Sequence, residues 1–185
     1  MSDLVKIAKT EISNSNKLCV IAGLNVLEDD QLTFKVAERL KKITEAQGNS
    51  FIFKASFDKA NRSSVDSYRG PGLEKGLEIF RELKKSDYQL ITDIHEISQV
   101  EQISEVVDII QIPAFLCRQT DLIKEACQSG KPLNIKKGQF LSPDQMKNII
   151  EKCSNFGNDQ IMLCERGTSF AVSYTHLTLP TTSAV

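Results

Sequence analysis

The sequence predicts an α/β protein folded as an incomplete (β/α)8 barrel, with about six of the eight strands present. Short apolar runs alternate along the chain with segments of helical periodicity, which is typical of βα units and a parallel sheet. The runs are apolar throughout, as expected of strands buried on both faces. Polar residues end the second to the sixth run. A barrel directs all of them to one mouth, so we favour it over a doubly wound sheet.

The strand signals follow one another at regular intervals. We predict six strands, over residues 18–22, 51–56, 90–94, 106–114, 133–137 and 161–165. A small hairpin over residues 5–7 and 11–13 is predicted to precede them. A complete barrel takes roughly 250 residues, whereas this chain has 185. About two strands are therefore expected to be missing.

Helical periodicity fills the spaces between these strands. Apolar residues at helical spacing predict helices near residues 32–43, 73–83, 122–130 and 146–153. The last of these has a clear start signal. Ser142 is suited to the N-cap, Pro143 fits the first turn, and Gln145 completes a capping box.

Composition narrows the class of protein. Lys plus Arg total 23 and Asp plus Glu total 24, so the net charge is -1, which argues against bulk nucleic-acid binding. No apolar stretch approaches the roughly 20 residues that span a membrane, and the N-terminus lacks the features of a secretory signal. The five cysteines form no Cys-x-x-Cys pair and are expected to be buried free thiols. These features predict a cytoplasmic protein.

The end of the chain differs from the rest. Residues 171–185 contain no Asp, Glu, Lys or Arg, although the whole chain is 25% charged. We interpret residues 1–170 as the partial barrel domain and residues 171–185 as a non-native tail. A natural disordered tail is the alternative. His176 lies in this segment and receives no role.

Basic residues end several of the predicted strands. Lys54 ends the second, Lys136 and Lys137 end the fifth, and Arg166 follows the sixth. Parallel α/β proteins bind ligands at the carboxyl ends of their strands, so cations on this rim predict an anionic ligand. Phosphate and carboxylate are the groups that Arg and Lys bind best.

The loop after the second strand concentrates this chemistry. Residues 53–64 read FKASFDKANRSS and hold three cations and three hydroxyls. The segment is not a phosphate-binding P-loop, because the G-x-x-x-x-G-K-[ST] pattern is absent. A long βα loop of this kind can present side chains to two anionic groups. The alternative is a solvated loop with scattered charge.

Six motifs together carry a resemblance to a known family. They are FKASFDKANRSS, SYRGPGLEKG, TDIHE, IIQIPAFLCRQTDL, NIKKGQF and CERGTSF. In this order they resemble the 3-deoxy-D-manno-octulosonate 8-phosphate synthases, over roughly residues 5–170. The resemblance implies a cytoplasmic, homotetrameric TIM-barrel transferase of lipopolysaccharide precursor biosynthesis. Such an enzyme condenses phosphoenolpyruvate with D-arabinose 5-phosphate to the eight-carbon sugar phosphate and inorganic phosphate.

The resemblance also implies roles for individual residues. The implied catalytic residues are Asn25, Lys59, Asn61 and Asp93. Residues matching those that hold phosphoenolpyruvate, mainly by its carboxylate, are Lys54, Ser56 and Lys59. Lys136 and Arg166 match the residues that hold its phosphate. Asn61, Arg62 and Ser63 match the loop that contacts arabinose 5-phosphate. In the family, residues across a subunit boundary also reach the phosphate of that sugar. Further pocket positions are Asp93, Gln111, Pro113 and Ala114.

Metal use depends on one position in the family that the motifs resemble. Metal-dependent members have Cys at the end of the first strand, and metal-independent members have Asn. This chain has Asn25 there, a poor substitute for a thiolate ligand, so no metal and no other cofactor is expected. His95 lies in TDIHE without ligand spacing around it, and we expect a rim histidine without a metal.

Beyond Phe170 the sequence departs from the family pattern, which continues with two further βα units. We therefore expect this polypeptide itself to be inactive and poorly soluble, because a barrel lacking two strands exposes two sheet edges.

Three other functions remain open. A sister synthase would make a seven-carbon sugar phosphate from erythrose 4-phosphate. A Schiff-base aldolase would use Lys136 or Lys54 as its nucleophile. A phosphate-binding module would have no turnover.

Overall fold

A computed structural model describes residues 4–169. An antiparallel hairpin of β1 (Val5–Ile7) and β2 (Thr10–Ile12) comes first. Six parallel strands follow, and their order in the sheet is their order in the chain. They are β3 (Cys19–Gly23), β4 (Ser50–Lys54), β5 (Leu90–Asp93), β6 (Ile109–Ile112), β7 (Leu133–Lys136) and β8 (Ile161–Cys164). A doubly wound sheet would reverse this order at one point. The barrel prediction is therefore confirmed.

Helices connect these strands. They are α1 (Asp30–Ala46), α2 (Leu73–Lys85), α3 (Val100–Ser104), α4 (Thr120–Gln128) and α5 (Met146–Asn155). The capping box predicted for Ser142 and Gln145 is present, and it begins a 3-10 turn at Pro143 that leads into α5. The four predicted helices correspond to α1, α2, α4 and α5. The short helix α3 was not predicted.

The sheet curls, as the packing of its concave face shows. One apolar cluster holds Ile21 of β3, Ile91 of β5 and Met162 of β8 together, although β3 and β8 are the outer strands of the six. A larger cluster lies between the convex face and the helices, and it includes Leu90 and Phe80. Adjacent residues of β5 therefore belong to different cores, as the twofold period of a strand requires.

The hairpin closes the amino-terminal end of the curled sheet. Val5 and Ile7 are buried in the inner cluster. The Ile7 carbonyl accepts a hydrogen bond of 2.6 Å from the side-chain amide of Gln89, a residue just before β5. The Lys6 amide donates at 2.8 Å to the side chain of Gln160, just before β8. These bonds fix the hairpin across the open width of the barrel floor.

The predicted strands differ from the observed ones by one or two residues at their ends, except one that is much too long. Residues 106–114 were expected to form a strand, but β6 covers Ile109–Ile112. The N–H groups of Val106 and Val107 both donate to the Ile103 carbonyl at 3.0 Å, in the turn that ends α3. Both valines are buried, so their apolar character reports burial in a turn and not strand structure.

Two sequence expectations concern the thiols and the ends of the chain. Cys117, Cys127 and Cys153 are buried and free, while Cys19 and Cys164 are free and half-buried, which is less burial than expected. The tail predicted for residues 171–185 lies outside the described residues, and its foreign origin stays a prediction. Among residues 4–169, no helix combines the length and apolar content that crossing a membrane requires.

Candidate active site

The inward-facing side chains of the sheet form two layers. The lower layer is apolar and includes Ile52, Ile91 and Ile109. Two residues further along the same strands stand Lys54, Asp93 and Gln111, which form a polar layer at the carboxyl ends. Because successive side chains alternate between the faces of a strand, both layers point into the barrel. The polar layer forms the floor of a cleft.

Asp93 is the centre of the polar layer. It is 4% exposed and accepts a hydrogen bond of 2.6 Å from the Ser56 hydroxyl. Its carboxylate oxygens lie 3.3 Å from Nζ of Lys136, 3.6 Å from Nζ of Lys54 and 3.8 Å from Nζ of Lys59. One carboxylate therefore faces three ammonium groups. The imbalance leaves the floor of the cleft positively charged and suited to an anion.

The ionisation of these groups follows from their crowding. Burial would raise the pKa of Asp93, but Lys54, Lys136 and hydrogen bonds from Ser56 and Gln111 outweigh it and hold that pKa well below its usual range. Burial, opposed only in part by Asp93, lowers the pKa of Lys54. Burial and the charges of Lys54, Lys136 and Arg62 lower the pKa of Lys59 to about 8. Lys59 can therefore give up a proton near neutral pH.

A chain of amides orients the Asp93 carboxylate. Asn134 of β7 donates to the side-chain oxygen of Gln111 at 3.0 Å, and Gln111 in turn donates to Asp93. Asn134 was not among the predicted site residues. The twofold period of β7, in which Asn134 shares a face with Lys136, was the signal available in the sequence.

The cleft above the floor has two lobes that share a wall of Lys59, Asn61, Lys136 and Arg166. The first lobe is also lined by Asp93, His95, Pro113, Ala114, Phe115 and Gln139. The second is also lined by Asn25, Lys54, Arg62, Ser63, Ser67, Cys164 and Glu165. The predicted basic residues 54, 59, 62, 136 and 166 all line the second lobe, so the structure brings them together.

The predicted site residues divide into those that line the cleft and those that support it. Gln111 and Ser56 line neither lobe, and both donate hydrogen bonds to Asp93 in the floor. Ser56 is fully buried, and its hydroxyl also accepts a hydrogen bond of 2.9 Å from Lys59. The other predicted residues line one or both lobes. Their individual roles stay predictions. Phe115, Gln139, Ser67, Cys164 and Glu165 line the cleft without having been predicted.

The loop after β4 is held in shape by its own contacts. Arg69 donates to the Asp58 carboxylate at 2.8 Å, and the Arg69 carbonyl accepts the Lys59 N–H at 2.7 Å. Arg62 donates to the Tyr68 carbonyl at 3.2 Å. These bonds fold the segment back on itself and fix the backbone that carries Lys59. Arg69 therefore has a structural role in this loop.

His95 stands at the edge of the first lobe. Its ring meets Phe57 edge-on, with 5.7 Å between ring centroids. Burial is the main reason that the pKa of His95 is lowered, so the imidazole is neutral at neutral pH. Within residues 4–169 no group of three or more His, Cys, Asp or Glu side chains is placed to hold a metal ion. Asn25 lines the second lobe as an exposed side chain.

Several curated proteins are similar to this chain over most of its length. A 2-dehydro-3-deoxyphosphooctonate aldolase of Hahella chejuensis is 53% identical over 167 residues, covering 90% of this chain and 59% of that protein. Proteins of the same name from Haemophilus influenzae and Bdellovibrio bacteriovorus are each 52% identical over 168 residues. This chain covers 59% and 58% of their respective lengths.

The chain thus spans about 59% of the length of the curated relatives that it matches. It also matches the family described as DAHP synthetase I over residues 4–184. That range includes the whole described barrel and every residue that lines the two lobes. The chain therefore belongs to the DAHP synthetase I family.

Proposed function

We propose that the protein condenses phosphoenolpyruvate with D-arabinose 5-phosphate to give 3-deoxy-D-manno-octulosonate 8-phosphate and inorganic phosphate. The observation that carries this proposal is the excess of positive charge around buried Asp93, at the floor of a cleft with two lobes. Both substrates are phosphorylated, and one also carries a carboxylate. Curated relatives named 2-dehydro-3-deoxyphosphooctonate aldolase support the same reaction.

Phosphoenolpyruvate is assigned to the shared wall of the lobes. Lys136 and Arg166 take its phosphate, since an Arg fork and a compact ammonium together suit that group. Lys54 and Lys59 take its carboxylate from the other side of Asp93. Arg62 and Ser63, which line only the second lobe, and Asn61, which lines both lobes, remain for arabinose 5-phosphate.

Bond formation then needs positioning and charge stabilisation more than covalent catalysis. C3 of the enol attacks the aldehyde carbon of the sugar, and the carbonyl electrons pass to its oxygen, which takes a proton. Lys59 is suited to donate that proton, because its pKa is lowered to about 8. Water adds to the cationic C2 and loses a proton to give a hydroxyl. That hydroxyl then forms the C2 carbonyl as phosphate leaves with the electrons of its bond to C2, and the hydroxyl proton passes to solvent or to the departing phosphate. Asp93, which lies between the lysines assigned to the phosphate and those assigned to the carboxylate, is suited to offset the charge that develops at C2.

The remaining parts of the proposal follow the family that the motifs resemble. The reaction proceeds without a metal, because the amide of Asn25 offers no thiolate to hold one. The active protein is a homotetramer in the cytoplasm and supplies lipopolysaccharide precursors. Phe115, on the rim of the first lobe, is 63% exposed, which supports an assembly that covers it.

A Schiff-base aldolase is the second candidate, because one observation favours it. The pKa values of Lys54 and Lys59 are both lowered, chiefly by burial, and a lysine nucleophile requires this. Borohydride added with substrate would trap a covalent adduct on such a lysine. The condensation proposed above forms no imine, so we expect the intact mass of the protein to remain unchanged.

The decisive experiment is an assay of phosphate release by the full-length gene product. We expect release with phosphoenolpyruvate and arabinose 5-phosphate, undiminished by prior dialysis against a chelator. Lys136→Ala should raise the KM for phosphoenolpyruvate by about tenfold or more, the worth of a charge-assisted contact. Lys124→Ala, an exposed lysine on α4, is the matched control.

The alternatives give different results in the same assay. Faster release with erythrose 4-phosphate would replace the proposal by the seven-carbon synthase. Calorimetric binding of phosphoenolpyruvate without release by either aldose phosphate would indicate a binding module.

A further inference from the structure

Two adjacent lysines stand at the end of β7, Lys136 as its last residue and Lys137 directly after it, and their side chains point in opposite directions. Lys136 faces the cleft, with its Nζ 3.3 Å from Asp93. Lys137 was expected on the same rim, but it is 2% exposed and lines neither lobe of the cleft. Alternation along the strand turns it away from the barrel interior. A lysine buried to this degree requires partners for its charge.

The ammonium of Lys137 is held by oxygen atoms from two loops. From its own loop after β7, the carbonyls of Leu141 and Gly138 accept at 3.0 and 3.3 Å. From the loop after β8, the Gly167 carbonyl accepts at 2.7 Å. A carboxylate oxygen of Glu165 lies 3.3 Å away and balances the charge. Lys137 therefore joins residues 137–141 to residues 165–169.

The joined segment carries Arg166. The Glu165 carboxylate that pairs with Lys137 also accepts the N–H groups of Arg166 at 2.8 Å and of Gly167 at 2.7 Å. The residues on both sides of Arg166 are thus held by the ammonium of Lys137, one through its side chain and one through its carbonyl. The guanidinium lines both lobes of the cleft.

Little else restrains this segment within the described part of the chain. Residues 165–169 are all exposed to solvent. Apart from the contacts with Lys137, two hydrogen bonds are described between this segment and other elements. The Ser169 N–H donates to the Gln139 carbonyl at 2.7 Å, and the Cys164 thiol of β8 donates to the Glu165 carbonyl over a long 3.7 Å. A loop with few buried contacts opens readily, so removal of one strong tie changes where its side chains stand.

We propose that Lys137 is a positioning residue for the anion site. It holds the 165–169 segment so that Arg166 faces Lys136 across the shared wall, and it does so without touching the ligand. The inference rests on the proposed function in one respect, the assignment of the phosphate of phosphoenolpyruvate to Arg166. The two lysines therefore have different roles: Lys136 binds the anion directly, whereas Lys137 positions Arg166, the second cationic side chain that binds it.

The test is a double-mutant cycle in the full-length gene product, read by calorimetry with phosphoenolpyruvate and by steady-state kinetics. Lys137→Met should weaken binding by about tenfold, with a smaller change in kcat. In an Arg166→Ala background the same substitution should weaken binding by less than about twofold, because the residue through which it acts is gone. Lys131→Met, just before the opposite end of β7, is the control for loss of a lysine and should bind normally.

The outcomes separate this inference from the function on which it rests. Unchanged binding in Arg166→Ala would overturn the assignment of Arg166 and, with it, the premise. Weakened binding in Arg166→Ala with normal binding in Lys137→Met would overturn the positioning role alone. A full effect of Lys137→Met in the Arg166→Ala background would also overturn it, because Lys137 would then act by another route.

A second variant keeps the proposal testable if the first one does not fold. Should Lys137→Met not fold, Lys137→Gln keeps a donor for the same carbonyls without the charge. We expect faster hydrogen exchange at the amides of Gly167 and Ser169 in that variant, together with weaker binding. Exchange as slow as in the parent protein, with or without weaker binding, would contradict the proposal.

Discussion

The two ends of the curled sheet present the same strands in opposite chemical roles. At the amino-terminal end the inward positions are Ile52, Ile91 and Ile109, packed under the β1–β2 hairpin. Two residues further along, the inward positions are Lys54, Asp93 and Gln111, at the floor of an open cleft. Successive inward residues lie about 7 Å apart along a strand. The residues that stabilise the fold and the residues that line the cleft are therefore only two positions apart along each strand.

The two layers differ in what their side chains contribute to folding. The apolar layer gains free energy from burial alone. The polar layer holds three ammonium groups around one carboxylate, and the lowered pKa values of Lys54 and Lys59 show that their charged forms are disfavoured there. Such a layer is less stable empty than with a bound anion, which is the usual relation between a binding site and the fold around it.

The largest expected effect belongs to the polar layer. Lys59→Met should lower kcat by about 10²- to 10⁴-fold, the usual worth of a general acid. It should also raise the midpoint of thermal unfolding by about 2–4 °C, because it removes one of three crowded positive charges. Activity assays and circular dichroism on the full-length gene product measure the two changes. Lys124→Met should alter neither quantity, and a Lys59→Met variant that melts below the parent protein would contradict this account of the layer.

The pH dependence of the parent protein also tests how Lys59 affects activity and stability, without a substitution. The pKa of Lys59 is lowered to about 8, so kcat/KM should fall as pH rises through that value and the acid is lost. Folding responds in the opposite direction. Between about pH 8 and the ordinary lysine pKa near 10.4, the unfolded chain binds more protons at this residue, so its contribution to stability rises with pH. The part of the rise that belongs to Lys59 should disappear in Lys59→Met, while Lys54, whose pKa is also lowered, keeps its own contribution.

The apolar layer should show the reverse pattern. Ile91→Ala removes a fully buried side chain from the inner cluster and should lower the free energy of unfolding by about 2–5 kcal/mol. The kcat of the remaining folded protein should stay within about twofold of the parent, because Ile91 touches neither lobe. Urea denaturation and active-site titration measure the two quantities. Ile97→Ala, at a 49% exposed position, is the control. A large loss of kcat in Ile91→Ala would show that the two layers are coupled.

The difference between the layers also explains what the sequence could reveal of the fold. Each parallel strand contains a short apolar run, and the four inner strands are largely buried on both faces. All six strands and the hairpin were therefore predictable. The five-residue helix α3 was not, because it is too short to show a helical period. Its buried neighbours Val106 and Val107 extended the apparent strand, since apolarity reports burial and leaves the backbone conformation open.

The candidate site was predictable where a charged residue ends a strand, as Lys54, Asp93 and Lys136 do. Asn134 was missed because its role depends on Gln111, which is 23 positions away in the chain and adjacent in the sheet. Lys137 was placed on the rim because composition does not show which way a side chain points. Only the alternation along β7 separates it from Lys136.

The smallest expected effect compares two Lys–Asp pairs at the opposite ends of the sheet. Lys9 and Asp87 lie closer together than Lys136 and Asp93, at 2.6 Å against 3.3 Å. Yet the first pair is 71% and 70% exposed, whereas the second is 18% and 5% exposed. Water and salt screen the exposed pair, and ordering its long side chain offsets much of the remaining attraction. Lys9→Ala should therefore change the midpoint of thermal unfolding by less than about 2 °C and leave phosphate release unchanged. A larger shift would mean that the hairpin depends on this ion pair more than on the burial of Val5 and Ile7, and that the floor of the barrel is held electrostatically after all.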